Sequence, residues 1–308
     1  MNRKEFGKLI ASLRREMGWT QGQLARVAEI EEPIISQIER GVKAHFEPEQ
    51  LVSLADAFQM ITLERREFFL AASGVEPSKI ARPNLPQVAS DTHDPDKELE
   101  KIARLMEQIR VPAFVRDPYS DAVMVNNSAM ILFGMDPSNV GLSMSMSGLG
   151  ADAPESFNII HFLFVRSQPL RRQIHRAQDW DPYVVNAMRA FRVYSLRYRG
   201  KPYFEYLMRI FRNPSVYPAF ERYWKLAYSV ERDSEANTYV VSYHDRNLGE
   251  LTFMSLTTQF ITAFGELYLT QSQPLNENAE RAFSELARRG GYAVHRFAPW
   301  PEKRFPGS

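Results

Sequence analysis

Thr20–Gly41, TQGQLARVAEIEEPIISQIERG, reads as two short helices broken by a tight turn. Thr20 is placed to cap the first helix, and Leu24, Val27 and Ala28 recur at the spacing of a core-facing stripe. Ile30 then plugs the turn. Pro33 suits the first turn of the second helix, where its missing N–H costs nothing, and Gly41 stands where a helix closes on glycine. At about 100° per residue, Ile35, Ile38 and Glu39 point inward and Ile34 lies on the flank. Pro33, Ser36, Gln37 and Arg40 then form an outward row free to meet a partner.

Working outward, Phe6, Leu9, Ile10, Leu13 and Met17 give Glu5–Met17 a helical stripe that Gly18 ends. Downstream, Glu47–Phe58 and Thr62–Ala72 carry stripes of the same kind, so five helices are complete by about Gly74. On these residues the chain resembles the Cro/Xre, lambda-repressor-like, class of DNA-binding domains. The match lies in Thr20-Gln21, Leu24-Ala25, Ile30, Ile35-Ser36, Ile38-Glu39 and Gly41. Glu29 replaces the usual turn glycine, and Glu31 and Glu32 stand where that class carries small polar or basic residues. The resemblance implies that Arg14 pairs with the inward Glu39. It also implies double-stranded DNA as partner, met by Gln21 at a helix N-terminus and by Pro33, Ile34, Gln37 and Arg40.

Composition bounds the rest. The 308 residues, 44% hydrophobic and 24% charged, suffice for two domains with their own cores. No apolar run approaches the roughly 18 residues of a membrane span and no signal peptide is visible, so a cytoplasmic protein is expected. The absence of cysteine excludes disulfides, thiolate metal sites and cysteine nucleophiles. Residues 1–75 carry ten Lys/Arg against eleven Asp/Glu, within a whole-chain charge of +1. Phosphate neutralisation supplies most non-specific affinity, so so neutral a head needs a second half-site and hence a homodimer.

Glu76–Asp96, with four prolines among Ser, Asn and Asp, has the composition of a linker between residues 1–75 and 97–308. In Lys97–Arg110, Leu99, Ile102, Met106 and Ile109 form a short heptad seam, which either pairs with a second subunit or caps its own domain. Two strands, Ala113–Arg116 and Ala122–Asn126, and a short helix, Asn127–Phe133, come next. Met135–Ala153, rich in Met, Ser and Gly, reads as a loop. Helices are expected at Glu155–Val165, Leu170–Ala177, Pro182–Tyr198 and Tyr217–Tyr228. Three strands then follow, Thr238–His244, Gly249–Leu256 and Phe260–Leu269. Asn276 opens a last helix stopped at Gly290, and the tail from Ala298 is expected to be loose. The fold class is therefore α+β, mostly helical, with an all-α head and a five-stranded antiparallel sheet.

That order resembles a PAS fold and, more narrowly, the MmyB-like regulators. The likeness is carried by Pro112–Val115, Asn126, Asn158–Phe164, Trp180 with Arg189 and Arg192, Pro218, Phe220–Trp224 and Gly249–Leu251. It implies a sensor holding an apolar effector such as a fatty acid. A carboxylated tail needs an apolar tunnel and a polar end. Phe162, Phe191, Phe220 and Trp224 are the candidate walls, with Asn158 and Arg192 at the polar end and Arg116 or Arg189 as substitutes. Aromatics at this spacing also make ordinary core.

Enzyme readings find little. Gly148–Ala153 matches a Gly-x-Gly-x-x-Ala fragment without the strand that would give its glycines a purpose. The six histidines show no metal spacing, no Gly-x-Ser-x-Gly elbow occurs, and His161 is more plausibly structural than a haem ligand. No metal, cofactor or catalytic residue is expected. An enzyme with an appended DNA-binding domain and an interaction scaffold remain the other classes.

Overall fold

The computed structural model describes residues 1–43, 45–75, 94–133, 157–165, 177–229, 238–245 and 248–306. Five helices form the head: α1 (Arg3–Glu16), α2 (Gln21–Val27), α3 (Glu32–Glu39), α4 (Pro48–Ala57) and α5 (Thr62–Ser73). Reciprocal capping boxes start two of them, Asn2 with Glu5 and Thr20 with Gln23. Phe6, Leu9, Leu24, Ile35, Ile38, Leu54, Phe58 and Phe68 fill the core. Gly7 lets α1 and α3 touch, since a side chain there would collide with the Ile38 carbonyl. Val27 does not join the stripe expected of it: it is half exposed, and Ala25 takes the inward place. With Leu24, Ala25 and Ala28 inward, helix geometry puts Val27 on the outer face, and the turn that follows closes with Ile30 N–H on the Ala25 carbonyl.

Beyond the head, α6 (Pro95–Met106) begins with Asp94 as its cap. The last two residues of the linker expected at 76–96 therefore belong to a helix, and 76–93 lie outside the described residues. Leu99, Ile102 and Met106 of α6 are buried against Ala113, Val115, Met124, Leu267 and Leu269. The possible seam to a second subunit is thus spent inside the chain, because the sheet itself has an apolar face to cover. Ile109 lies just past the helix at the rim of the same cluster.

All strands pair antiparallel, in the order β3-β4-β5-β1-β2-β6. They are β1 (Ala113–Arg116), β2 (Ala122–Asn126), β3 (Thr238–Asp245), β4 (Gly249–Thr262), β5 (Gly265–Pro274) and β6 (Val294–Arg296). Among the described residues, six strands replace the expected five. The break expected near Thr257–Gln259 is absent: β4 runs on to Thr262, and the turn falls at Ala263-Phe264, where Gly265 takes φ +138°. The tail is not loose. It follows β6 along β2, where Phe297 and Ala298 donate to the carbonyls of Val123 and Ala122, and Ala298 and the Lys303 side chain are buried.

Helices cover the other face: α7 (Asn127–Phe133), α8 (Ile159–Phe164), α9 (Ala177–Ser195), a 3-10 turn (Leu196–Tyr198), α10 (Pro202–Phe211), α11 (Phe220–Ser229) and α12 (Glu277–Gly290). The helix expected over Leu170–Ala177 and the Met135–Ala153 loop fall almost wholly outside the described residues. α10 was not expected. Pro202 at its first turn starts it, and Tyr203, Phe204, Leu207 and Phe211 bury its inner face.

Candidate functional site

In the head, Glu39 ties three helices together. Arg14 of α1 donates through Nε to Oε1 at 2.6 Å and through Nη2 to Oε2 at 3.1 Å, and Gln21 Nε2 of α2 donates to Oε2 at 2.7 Å. Arg14 also reaches the Trp19 carbonyl at 2.6 Å, and the bond to Glu39 raises its pKa. The pairing implied for Arg14 is present, while the Gln21 side chain faces Glu39 rather than solvent. Pro33, Gln37 and Arg40 stand exposed on α3, and Ile34 is half-buried against the core. Glu29 takes φ 53°, the left-handed turn conformation that a glycine would adopt without strain.

The structure divides the expected effector residues. Phe191 of α9 and Phe220 and Trp224 of α11 meet in the large aromatic core: Trp224 stacks on Phe220 at 5.9 Å and meets the edge of Phe191 at 6.0 Å. Phe162 belongs instead to a smaller cluster with Ala122, Val125, Ala129 and Met130 under the first hairpin. Between the clusters, His161 Nδ1 bonds the Tyr217 hydroxyl at 2.8 Å, and burial lowers its pKa to about 4. It is a neutral core histidine.

The polar residues are already engaged. Asn158 caps α8 through Oδ1, and its Nδ2 donates to the Tyr119 carbonyl at 2.8 Å and to Asp121 Oδ1 at 2.7 Å. Arg192 donates through Nη2 to Glu64 of α5 at 2.8 Å, with both side chains 2% exposed. Arg116, 6% exposed, is different. Its guanidinium lies 4.7 Å from the Tyr194 ring centroid and 3.5 Å from Ser120 Oγ, and among the described residues it has no carboxylate partner.

Arg192 is one of a set at the junction with the head. Arg199 reaches Glu16 at 3.3 Å and Glu64 at 3.5 Å, Arg197 reaches Glu67 at 2.9 Å and also pairs with Glu266 of β5, and Lys201 pairs with Glu5. Apolar contacts accompany these charges: Leu196 is fully buried in the head's own core, and Ile61 and Leu63 pack beside Val193 and Tyr194. This docking surface gave no local signal in the sequence. The head's acids and their basic partners are over a hundred residues apart and look like solvated charges until the fold joins them.

A second buried cluster closes the tail. Lys303 lies between Asp117 and Asp121, 2.7 Å from Asp121 Oδ2, while Tyr203 donates to the same oxygen at 2.8 Å. Burial and the neighbouring Asp121 push Asp117 up to about 6 against the pull of Lys303. Burial works against the charge on Lys303, yet the two carboxylates hold its pKa up at about 12.

An exposed face of α3 on a clamped five-helix head, docked to a sheet domain with a dense aromatic core, is the arrangement that two family matches identify as a DNA-binding transcription regulator with a ligand-binding domain. The chain belongs to the MmyB-like transcription regulators: the family's ligand binding domain matches residues 100–286, more than half of the chain. A helix-turn-helix domain matches residues 5–68. No curated protein matches the sequence. Among the described residues, no helix is long and apolar enough to cross a membrane.

Proposed function

We propose that the chain is a cytoplasmic, homodimeric, sequence-specific regulator without catalytic activity, whose effector is a long-chain fatty acid. The observation that carries this reading is the exposed row Pro33, Gln37 and Arg40 on a head docked to the end of an aromatic helix. Gln37 suits bidentate pairing with adenine and Ile34 a thymine methyl, while the start of α2 at Gln21 faces phosphate through its main chain. Half-sites would lie roughly 34 Å apart on one face of the duplex. Selected-site binding tests the assignment. Gln37→Ala should change the preferred sequence, and an unchanged preference and affinity would refute the reading helix.

For the effector, Phe191, Phe220 and Trp224 supply apolar surface, and burying an acyl tail gains about 0.8 kcal/mol per methylene. Phe162 lines only a neighbouring cluster. Arg192 and Asn158 would have to leave their present partners to hold a carboxylate, so Arg116 is the better anchor in this reading. Titrating delipidated protein with acids of increasing length should give affinity that rises with length and falls with Arg116→Ala. Affinity indifferent to length would remove the fatty acid from the proposal. Homodimerisation would use a surface other than the buried face of α6, and a sedimentation mass of one 35.6 kDa chain at micromolar concentration would exclude it.

A further inference from the structure

We propose that Trp224 couples the aromatic core to the DNA-binding head, because one indole ring serves both. One set of its contacts belongs to the core, Phe220 at 5.9 Å and Phe191 at 6.0 Å. The other consists of two guanidiniums, Arg192 at 5.2 Å and Arg199 at 5.4 Å from the ring centroid. Both arginines pair with Glu64 of the head, Arg199 pairs with Glu16 as well, and Arg199 Nη2 donates to the Arg192 carbonyl at 3.1 Å. Two like charges are thus gathered in a dry interface, held by the Glu16 and Glu64 carboxylates and the electron-rich face of one indole.

Such an arrangement is sensitive to small displacements. A buried ion pair offsets its desolvation only in good geometry, so a shift of the ring that moves either guanidinium weakens the hold on Glu64 steeply. The core is close-packed, and an apolar molecule entering between Phe191, Phe220 and Trp224 must displace at least one of these rings. Phe191 and Arg192 are consecutive on α9, so one helix carries a core ring and a docking charge side by side. Displacement of the indole therefore loosens the head. The part played by the effector rests on the fatty-acid reading above; the coupling of core to head does not.

Hydrogen exchange on the full chain tests it. Trp224→Leu, which removes the ring face, should speed exchange in α1 and α5 at least tenfold while β4 and β5 keep wild-type rates. Trp224→Phe, which retains a smaller ring face, should stay within about threefold of wild type. Coupling is reciprocal, so Glu64→Gln should in turn speed exchange in α11 around Trp224 at least fivefold. Wild-type rates in the head of a folded Trp224→Leu protein, or in α11 of Glu64→Gln, overturn the proposal. The Glu64→Gln measurement decides the matter should Trp224→Leu fail to fold. Hexadecanoic acid provides the last arm: protection of α9 and α11 with faster exchange in α1 and α5 supports the proposal, and protection without any change in the head overturns it. If the acid gives no protection at all, the fatty-acid reading falls and the variants judge the coupling alone.

Discussion

Glu29 shows how one side chain in the wrong backbone region leaves a margin of stability unused. A residue with a Cβ held at φ 53° costs about 1 kcal/mol or more relative to glycine, part of which glycine returns through its freer unfolded chain. Glu29→Gly is therefore expected to stabilise the head by a few tenths to about 1 kcal/mol, read from denaturant midpoints at unchanged slope. Lys303 makes the opposite case. Removing its ammonium as Lys303→Met leaves Asp117 and Asp121, each 1% exposed, facing one another, at a cost of about 3–5 kcal/mol at pH 8. A proton then does part of the ammonium's work. Burial and the neighbouring Asp121 raise Asp117 to about 6 even against the pull of Lys303, and without the ammonium it rises further; the folded state then binds more protons than the unfolded chain, and the variant should lose stability as pH rises from the ordinary carboxylate range through about 6 and beyond. A Lys303→Met protein with the same deficit at pH 5 and pH 8 would contradict this account.

Among the elements, α6 carries the clearest test. Its apolar face covers the sheet, so Ile102→Ala should destabilise the sheet domain by about 2–4 kcal/mol. The loss should not depend on protein concentration, as it would were that face a subunit seam; unfolding curves at two widely different concentrations check this. The sequence left both uses of the heptad open because periodicity reveals which face is apolar but not what covers it. Elements with local signals were legible. The capped helices of the head, the pair β1 and β2, and α7 each have Asn, Thr, Pro or Gly at one end or the other, and those residues mark where they begin or stop. The β4–β5 turn was missed because Phe253–Thr262 continues to look like strand, while Thr257 to Gln259 only resemble a turn by polarity. Arg192 was the least legible: its neighbours in sequence point to the aromatic core, and only the three-dimensional docking of Glu64 reveals its partner.

At the scale of the whole molecule, electrostatics set how the head meets DNA. Glu31 and Glu32 are exposed at the start of α3, and the Glu32 carboxylate lies against Gly22 in the first turn of α2, close to where phosphate would approach. Replacing both with alanine should raise affinity for random duplex roughly tenfold at low salt, with a smaller gain at high salt, as fluorescence anisotropy would record. The clamp on Glu39 bears on regulation in another way. Because Arg14 and Gln21 fasten α1 and α2 to the last residue of the reading helix, a signal from the sheet domain is expected to change how the head is held more than how α3 sits within it. Effector control would then be a matter of aim: a duplex with one half-site should bind equally well with and without effector, and only an operator that demands two heads at a fixed span should tell the two states apart.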